Sequence, residues 1–150
     1  AASRFLRREW FAEFAQEAAA EVAAAMTAAG GLVIYHACET SLPHLELQLD
    51  IPANALNVGE GVDIAAVTET LDNRKCLTGN FDPMLLRDGT VSQVIEATAG
   101  MVAASGTCSG YIFNTGEGIM SNTPPENVAA MITTARAHVP PSDLRKKHLS

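Results

Sequence analysis

The sequence predicts an α/β fold in which four parallel strands alternate with helices. Two observations indicate this fold. Short, β-branched apolar runs such as LVIYHA are typical of strands that are covered on both faces. These runs are separated by helix-forming stretches, and that alternation is typical of a parallel sheet with crossover helices. The length of 150 residues is enough for one domain with a substantial core.

The first predicted element is a long helix over residues 4–29, which is rich in alanine and glutamate. Trp10, Phe11 and Phe14 are expected to form its buried stripe, and a Gly-Gly pair ends it. The apolar run over residues 32–37 then forms the first strand.

Three further short runs are predicted strands, namely ALNV (55–58), KCLTGN (75–80) and GYIFNTG (110–116). The stretches between them predict helices over residues 63–71 and 90–105, and the second of these opens with a Thr-x-x-Gln capping box at Thr90.

The last predicted helix begins TPPENV. Thr123 is expected to be its N-cap, Pro124 to occupy the first helical position and Glu126 to close a capping box. Residues 1–139 are therefore predicted to form one βα domain, and residues 140–150 to form a loose tail.

The bulk composition excludes several classes of function. A net charge of -7 and an aromatic content of 5% do not suit a surface that binds nucleic acid or anionic membranes. No apolar run approaches the length of a membrane span, and the amino-terminal residues do not read as a signal peptide. The odd count of three cysteines argues against a disulfide framework, so we expect a reducing, cytoplasmic setting.

Polar residues follow every predicted strand, whereas the middles of the strands are apolar. Because the carboxyl ends of the strands carry the chemistry in parallel α/β folds, this contrast predicts a ligand pocket at that end. The residues at the four ends are His36, Cys38 and Glu39; Asn57, Gly59 and Glu60; Thr78, Asn80 and Asp82; and Asn114, Thr115 and Glu117. The substrate-binding candidates are Asn57, Asn80, Asp82, Asn114, Gly116 and Gly118.

The metal-ligand candidates begin with His36 and Cys38, whose i, i+2 spacing points both side chains to the same side of an extended strand. Imidazole and thiolate together suit zinc. Glu60 and Glu117 follow later strands at the same face and are candidates for the third and fourth ligands. The alternative is that Cys38 is ordinary buried filler, because cysteine is among the most buried residue types.

The loop NTGEGIMSNTPPEN places Gly-x-Gly ahead of a helix, which is either an anion-binding loop or a tight turn that needs glycine. We expect structural roles for Cys76 and Cys108 and surface or capping roles for the remaining histidines, which are His44, His138 and His148.

Four segments of the chain are similar to one known family. VIYHAC, ALNVGEGVDIAAV, CLTGNFDP and GYIFNTGEGIMSNTPPENVAAM occur in the order and spacing of the carboxyl-terminal half of the uroporphyrinogen decarboxylase superfamily, over about residues 5–138. The resemblance implies half of a (β/α)8 TIM-type barrel, with four parallel strands and flanking helices. Such a half leaves two sheet edges and an apolar interior uncovered, so we expect completion by oligomerisation: a homodimer, or pairing with a missing N-terminal half.

The resemblance also implies two candidate activities. The decarboxylases of the superfamily remove carboxylates from a tetrapyrrole without a cofactor. The cobamide-dependent methyltransferases carry zinc on a His-x-Cys motif and a later cysteine, and they move a methyl group from a corrinoid protein to a thiol or folate. His36 and Cys38 match that motif, and Glu60 falls where a further glutamate ligand is found in thiol-directed members.

Glu117 departs from both branches, because the methyltransferases have a cysteine at this place and the decarboxylases more often have a histidine. The sequence therefore leaves three functions open. The first is zinc-assisted methyl transfer from a corrinoid partner to a small-molecule acceptor. The second is a decarboxylase-like protein that binds a tetrapyrrole. The third is a catalytically silent half-barrel that serves as an assembly module.

Overall fold

The predicted parallel sheet is present in the computed structural model, which describes residues 2–138. Its four strands are β1 (Ile34–Glu39), β2 (Ala55–Val58), β3 (Cys76–Phe81) and β4 (Tyr111–Thr115). They lie in the order β1-β2-β3-β4, and every neighbouring pair is parallel. The predicted tail over residues 140–150, including His148, lies outside the described residues.

Helices connect the strands and pack against the sheet. They are α1 (Arg8–Trp10), α2 (Glu17–Ala28), α3 (Leu42–Gln48), α4 (Ile64–Thr70), α5 (Pro83–Asp88), α6 (Val91–Ala104) and α7 (Pro125–His138). A π-helical segment, Phe11–Gln16, joins α1 to α2, and short 3-10 turns lie at Ala2–Arg4 and Ser105–Thr107.

The buried stripe predicted for the first helix is wrong at two of its three positions. Phe11 is 1% exposed, but Trp10 and Phe14 are 48% and 66% exposed. The residues that face the core instead recur every fourth position, as Phe11, Ala15, Ala19 and Ala23. A row of mostly alanine lets this helix approach the sheet closely, and it leaves the larger side chains on an outer stripe. The Gly-Gly ending is confirmed by a positive φ of 83° at Gly30.

Two apolar clusters hold the helices against the sheet. The first lies over β1 and β2 and includes Phe11, Leu45, Leu56, Ile64, Val67, Leu71 and Leu77. The second lies over the end of β3 and includes Phe81, Leu86, Val94 and Met131. Each cluster joins side chains of the strands to side chains of the helices.

The predicted helix starts were right for α6 and wrong for α7. The Thr90 side chain and Gln93 form the reciprocal capping box at the start of α6. In contrast, α7 begins at Pro125, one residue later than predicted, and the Thr123 hydroxyl donates to the carbonyl of Met120. Thr123 therefore closes the preceding turn and does not cap the helix. No helix within residues 2–138 is long and apolar enough to cross a membrane.

Candidate functional site

The end of β1 departs from regular strand geometry at the residues predicted to bind metal. Tyr35 pairs with Leu56 and Glu39 pairs with Val58, so the register between β1 and β2 slips between these two pairs. Cys38 has a positive φ of 45°, and its N–H donates to Oδ1 of Asn57 at 2.8 Å. The Asn57 side chain thus replaces a strand carbonyl and stabilises the bulge.

This bulge brings the predicted pair together. The Sγ atom of Cys38 lies 3.1 Å from Nε2 of His36. Cys38 is 7% exposed, whereas His36 is exposed to solvent. The prediction that both side chains lie on one side is therefore correct, but its reason is wrong. The backbone at Cys38 is left-handed, so simple strand alternation does not place the thiol.

Glu117 joins this pair from the loop after β4. Burial raises the pKa of the Cys38 thiol to about 11, and the nearby carboxylate of Glu117 acts in the same direction. Glu60 contributes as well, but less. Cys38 is therefore a protonated thiol near neutral pH, in contact with an imidazole.

The donor atoms around Cys38 fit zinc in type and nearly in spacing. Ordinary Zn–S and Zn–N bonds in a tetrahedral site place the two ligand atoms roughly 3.5 Å apart, and the observed separation of Sγ and Nε2 is 3.1 Å. Three ligands do not yet converge: within residues 2–138 no group of three or more His, Cys, Asp and Glu side chains is arranged to hold a metal ion. The structure therefore brings two of the candidate ligands together, and not three.

Glu60, the fourth metal-ligand candidate, is engaged elsewhere. Its Oε1 atom lies 3.6 Å from a guanidinium nitrogen of Arg4. A Cβ atom placed on Gly116 would lie 2.5 Å from the backbone nitrogen of Glu60. Glycine at position 116 therefore lets the β4 loop pack directly on the β2 loop, which brings Glu117 toward the end of β1.

The predicted substrate-binding amides at positions 57 and 80 hold the backbone in place. Asn57 accepts from Cys38, and Asn80 donates from Nδ2 to the carbonyls of Gly59 and Val62 at 3.0 and 2.7 Å. Both side chains are buried. These two side chains therefore position the backbone around the site.

The other substrate-binding candidates are divided between structural and open positions. Asp82 caps α5 by accepting from the N–H of Met84 at 2.7 Å. Asn114 and Gly118 are exposed, and Gly118 has open space where a side chain would be. These two positions are the ones that remain free to meet a ligand.

The Gly-x-Gly loop does not lead directly into a helix start. Residues 119–124 separate Gly118 from α7, and Pro124 and Pro125 have no N–H to offer an anion. The geometry supports the alternative interpretation, in which the glycines allow a close turn, as Gly116 does against Glu60.

The remaining cysteines and histidines occupy structural positions. All three cysteines are free thiols, and Sγ of Cys108 lies 3.0 Å from Oγ1 of Thr68. His138 is exposed and contacts the carbonyl of Thr134. The surface or capping role expected for His44 is wrong: it is 7% exposed, contacts the carbonyl of Leu6 at 3.1 Å and packs edge-on against Phe11.

The amino-terminal turn also contributes to the site, which the sequence did not indicate. The fully buried Glu39 carboxylate accepts hydrogen bonds from the N–H and hydroxyl of Ser3, and from the N–H groups of Thr40 and Ser41. Burial opposes the charged form of Glu39, but these hydrogen bonds outweigh it and lower the pKa of the carboxyl. These contacts also hold the adjacent Arg4 near Glu60. The only sequence signal was the cluster of arginines in SRFLRREW.

Comparison with known proteins places these features in a family context. The family model described as uroporphyrinogen decarboxylase matches residues 1–138. The chain is 35% identical over 86 residues to the uroporphyrinogen decarboxylase of Chlorobaculum parvum and 39% identical over 89 residues to that of Legionella pneumophila. It is 34% identical over 112 residues to the enzyme of Acidiphilium cryptum.

These matches cover 55%, 59% and 73% of the chain. The chain spans about a quarter of the length of these curated relatives, with 24%, 25% and 29% of each covered. Among solved structures, a methyltransferase from Methanosarcina mazei superposes with a TM-score of 0.75 at 20% identity, covering 89% of this chain and 38% of that one. This second likeness establishes the fold, a part of a TIM-type barrel.

Proposed function

Because the chain belongs to the uroporphyrinogen decarboxylase family, we propose that it forms part of a zinc-assisted methyltransferase. In this proposal a methyl group passes from a corrinoid carrier protein to a thiol or folate acceptor. The observation that carries the proposal is the end of β1, where the Cys38 thiol contacts His36 at 3.1 Å and Glu117 is close enough to raise the pKa of that thiol. Decarboxylation without a cofactor has no evident use for such a group.

The residues that would hold zinc are His36, Cys38 and Glu117. Zinc bound there would supply Lewis-acid activation of the acceptor, so that a thiolate or an equivalent anion forms near neutral pH. Asn57 orients Cys38 through its backbone N–H. Glu117 supplies a nearby carboxylate to take the proton that Cys38 must lose when it becomes a ligand.

The third ligand influences which class of methyl acceptor suits the site. A carboxylate donates less electron density than a thiolate, so a site with one sulfur ligand is a stronger Lewis acid than a site with two. Glu117 in place of a second cysteine therefore suits an acceptor that needs stronger activation, such as a folate amine, at least as well as a thiol.

Metal analysis of the purified protein tests the proposal. We expect about one zinc per chain by mass spectrometry of the digested protein, in line with a single site of three protein ligands. His36→Ala and Cys38→Ala should each lose the metal. Cys76→Ala is the matched control, because this thiol lies at the amino end of β3, two strands away from β1, and its loss should leave the metal content unchanged. A zinc-free protein, or zinc retained in Cys38→Ala, would contradict the proposal.

The second candidate is a decarboxylase-like protein that binds a tetrapyrrole. Its support is the identity of 34% to 39% to proteins named uroporphyrinogen decarboxylase. A tetrapyrrole retained by metal-free protein, seen as its visible absorbance after gel filtration, would favour this candidate. If neither metal nor tetrapyrrole binds, the third candidate remains, a silent half-barrel.

We also propose that the chain completes its barrel with a partner, either a second copy or an N-terminal half of the same fold. The support is a row of exposed apolar side chains on the outer stripe of the first helix and on edge strand β1. These are Trp10, Phe14, Val22, Met26 and Ile34. Light scattering of the purified chain should give the mass of a dimer, and a monomer that stays in solution at high concentration would contradict self-pairing.

A further inference from the structure

The outer stripe of the first helix is apolar and repeats at every fourth position. It consists of Trp10, Phe14, Ala18, Val22 and Met26, and its four large members are 48%, 66%, 61% and 49% exposed. Part of the stripe lines an open groove together with Ile34 of edge strand β1, which is 52% exposed. The outer stripe therefore points beyond the β1 edge of the sheet.

A second exposed row lies on α7, at the other end of the helical layer. The core side of α7 consists of Asn127, Met131 and Ala135, and the helix packs against α6. One position further along lie the half-buried Val128, Ile132, which is 42% exposed, and the exposed Arg136. We call these three residues the α7 flank. They are one helical turn apart, so they form a continuous surface.

The two rows face opposite ends of the helical layer. The first helix ends close to the start of β1 and α7 begins after the end of β4, so both helices run opposite to the strands. The outer stripe precedes the core residues by one position, as Trp10 precedes Phe11, whereas the α7 flank follows them, as Ile132 follows Met131. Because one residue turns a helix by about 100°, the α7 flank points beyond the β4 edge.

A helix thus flanks each edge strand of the sheet. When two copies face each other about a common two-fold axis, the β1 edge of one copy meets the β4 edge of the other at two identical seams. The first helix of one copy and α7 of the other both need the space over a seam. They must therefore lie side by side, so that the copies meet helix against helix.

The charges beside the two rows favour this contact. Glu13, Glu17 and Glu21 are exposed and lie three positions after members of the outer stripe, which places them along one border of it. The α7 flank ends in Arg136. When the two helices run parallel, Arg136 comes beside Glu17 and Glu21 of the other copy, whereas an antiparallel contact would bring it beside the arginines at the start of the first helix.

We propose that two copies of the chain pair edge to edge, with the outer stripe of each packed in parallel against the α7 flank of the other. This inference rests on the proposal that a partner completes the barrel, and it names a second copy as that partner. The parallel direction also agrees with the symmetry, because both helices run opposite to strands that all point the same way around the shared axis.

Two substitutions test the pairing, with the mass of the purified full chain measured by light scattering over a range of concentrations. Val22→Glu places a carboxylate in the outer stripe, and Ile132→Glu places one in the α7 flank. Each variant's homodimer would contain the change at both seams. The dissociation constant of the dimer should therefore rise at least about 100-fold for either variant.

An equimolar mixture of the two variants shows whether the two rows contact each other. The Ile132→Glu copy keeps an intact outer stripe, and the Val22→Glu copy keeps an intact α7 flank, so one seam of a mixed pair can form. We expect mixed dimers that are weaker than the wild-type dimer and tighter than that of either variant alone. An affinity tag on one variant identifies the mixed pair.

The charge of Arg136 tests the direction of the helices. Arg136→Glu should raise the dissociation constant roughly threefold to tenfold, as expected for the loss of exposed ion pairs at two seams. The double variant Arg136→Glu with Glu21→Arg should return to the wild-type value. A double variant that pairs no better than Arg136→Glu alone would overturn the parallel contact.

Ile95→Glu is the matched control. Ile95 is an isoleucine of α6 that is 43% exposed and belongs to neither row. Its replacement should leave the mass of the dimer unchanged. Circular dichroism of every variant checks that these substitutions at exposed positions leave the fold intact.

The outcomes separate this inference from the other proposals. A wild-type chain that stays monomeric would overturn it together with self-pairing, and would leave an N-terminal half as the partner. A dimer that Val22→Glu disrupts and Ile132→Glu does not would show that the copies meet through their outer stripes alone. That result, or a mixture of the two variants that stays monomeric, would overturn the contact with α7. The zinc proposal is tested by metal content, so it can fail while this inference stands.

Discussion

The Nε2 atom of His36 lies 3.1 Å from the Sγ atom of Cys38 because β1 stops being a regular strand between Tyr35 and Glu39. In a regular parallel pair, the N–H of Cys38 would bond to a main-chain carbonyl. Here it bonds to the side chain of Asn57 at 2.8 Å. The contact between imidazole and thiol thus depends on a buried amide of the neighbouring strand.

Replacement of Asn57 by leucine should therefore disrupt both the fold and the metal-ligand pair. The substitution leaves the buried N–H of Cys38 without a partner, which costs about 1–3 kcal/mol. We expect a lower urea midpoint with an unchanged slope, and weaker zinc binding.

Asn114→Leu is the control for this prediction, because Asn114 is an exposed asparagine near the end of β4. Its effect on stability should stay within roughly 0.5 kcal/mol. Equal effects of the two substitutions would show that Asn57 has no special role in the bulge.

The order and direction of the strands were predictable from the sequence, because each strand is a local apolar run and each crossover is a local helix. ALNV forms β2 at the predicted residues, and the Thr90 capping box forms as predicted. The exposure of Trp10 and Phe14 was not predictable, since both are typical core residues and the π-helical segment selects which stripe faces the sheet.

The candidate site was predictable in part. Spacing identified His36 and Cys38 because both belong to one strand end. The ion pair between Arg4 and Glu60 could not be predicted, because the neighbouring Ser3 reaches the buried Glu39 across 36 positions of the chain. The residues around Ser3 give no indication of that contact in the sequence. Pairings between distant segments decide where the Glu60 carboxylate lies.

The Glu39 carboxylate should make a large, pH-dependent contribution to stability. Its hydrogen bonds with the backbone N–H groups of Ser3, Thr40 and Ser41 favour the charged form, and the pKa is lowered on folding. A lowered pKa stabilises the fold above the pKa of the unfolded glutamate, about 4.3. That stability is lost as the pH falls through the lower, folded pKa.

Glu39→Gln should accordingly cost about 1.5–3 kcal/mol at pH 7. The difference from wild type should shrink as the pH falls below 4, and urea unfolding at a series of pH values measures it. Glu46→Gln, which removes only the exposed pair with Arg8, is the control and should cost at most about 1 kcal/mol. If the difference in unfolding free energy between Glu39→Gln and wild type stayed constant with pH, the lowered pKa of Glu39 would be contradicted.

Gly116→Ala should disturb the contact between the β2 and β4 loops. The added Cβ would lie 2.5 Å from the backbone nitrogen of Glu60, a main-chain atom that cannot rotate away. We expect a loss of about 1–3 kcal/mol in the free energy of unfolding, and weaker metal binding because Glu117 moves with the loop. Gly118→Ala is the control, since open space surrounds Gly118. If only Gly118→Ala weakened metal binding, the close contact at Gly116 would not be what positions Glu117.

Tyr111 should lower stability at alkaline pH. Its hydroxyl donates to the carbonyl of Gly79, and burial, together with the charge of Cys108, raises the pKa of the phenol well above its usual value of about 10. Below pH 10 both folded and unfolded chains keep the proton, so the stabilisation is fully present. Above it the unfolded phenol ionises first, and stability is lost by up to about 1.4 kcal/mol per pH unit.

Tyr111→Phe should cost about 0.5–1.5 kcal/mol at pH 7 and should flatten the alkaline slope. Urea unfolding between pH 8 and 11 compares the two proteins directly, so that other titrating groups cancel, and parallel curves would show that Tyr111 keeps an ordinary pKa in the folded chain.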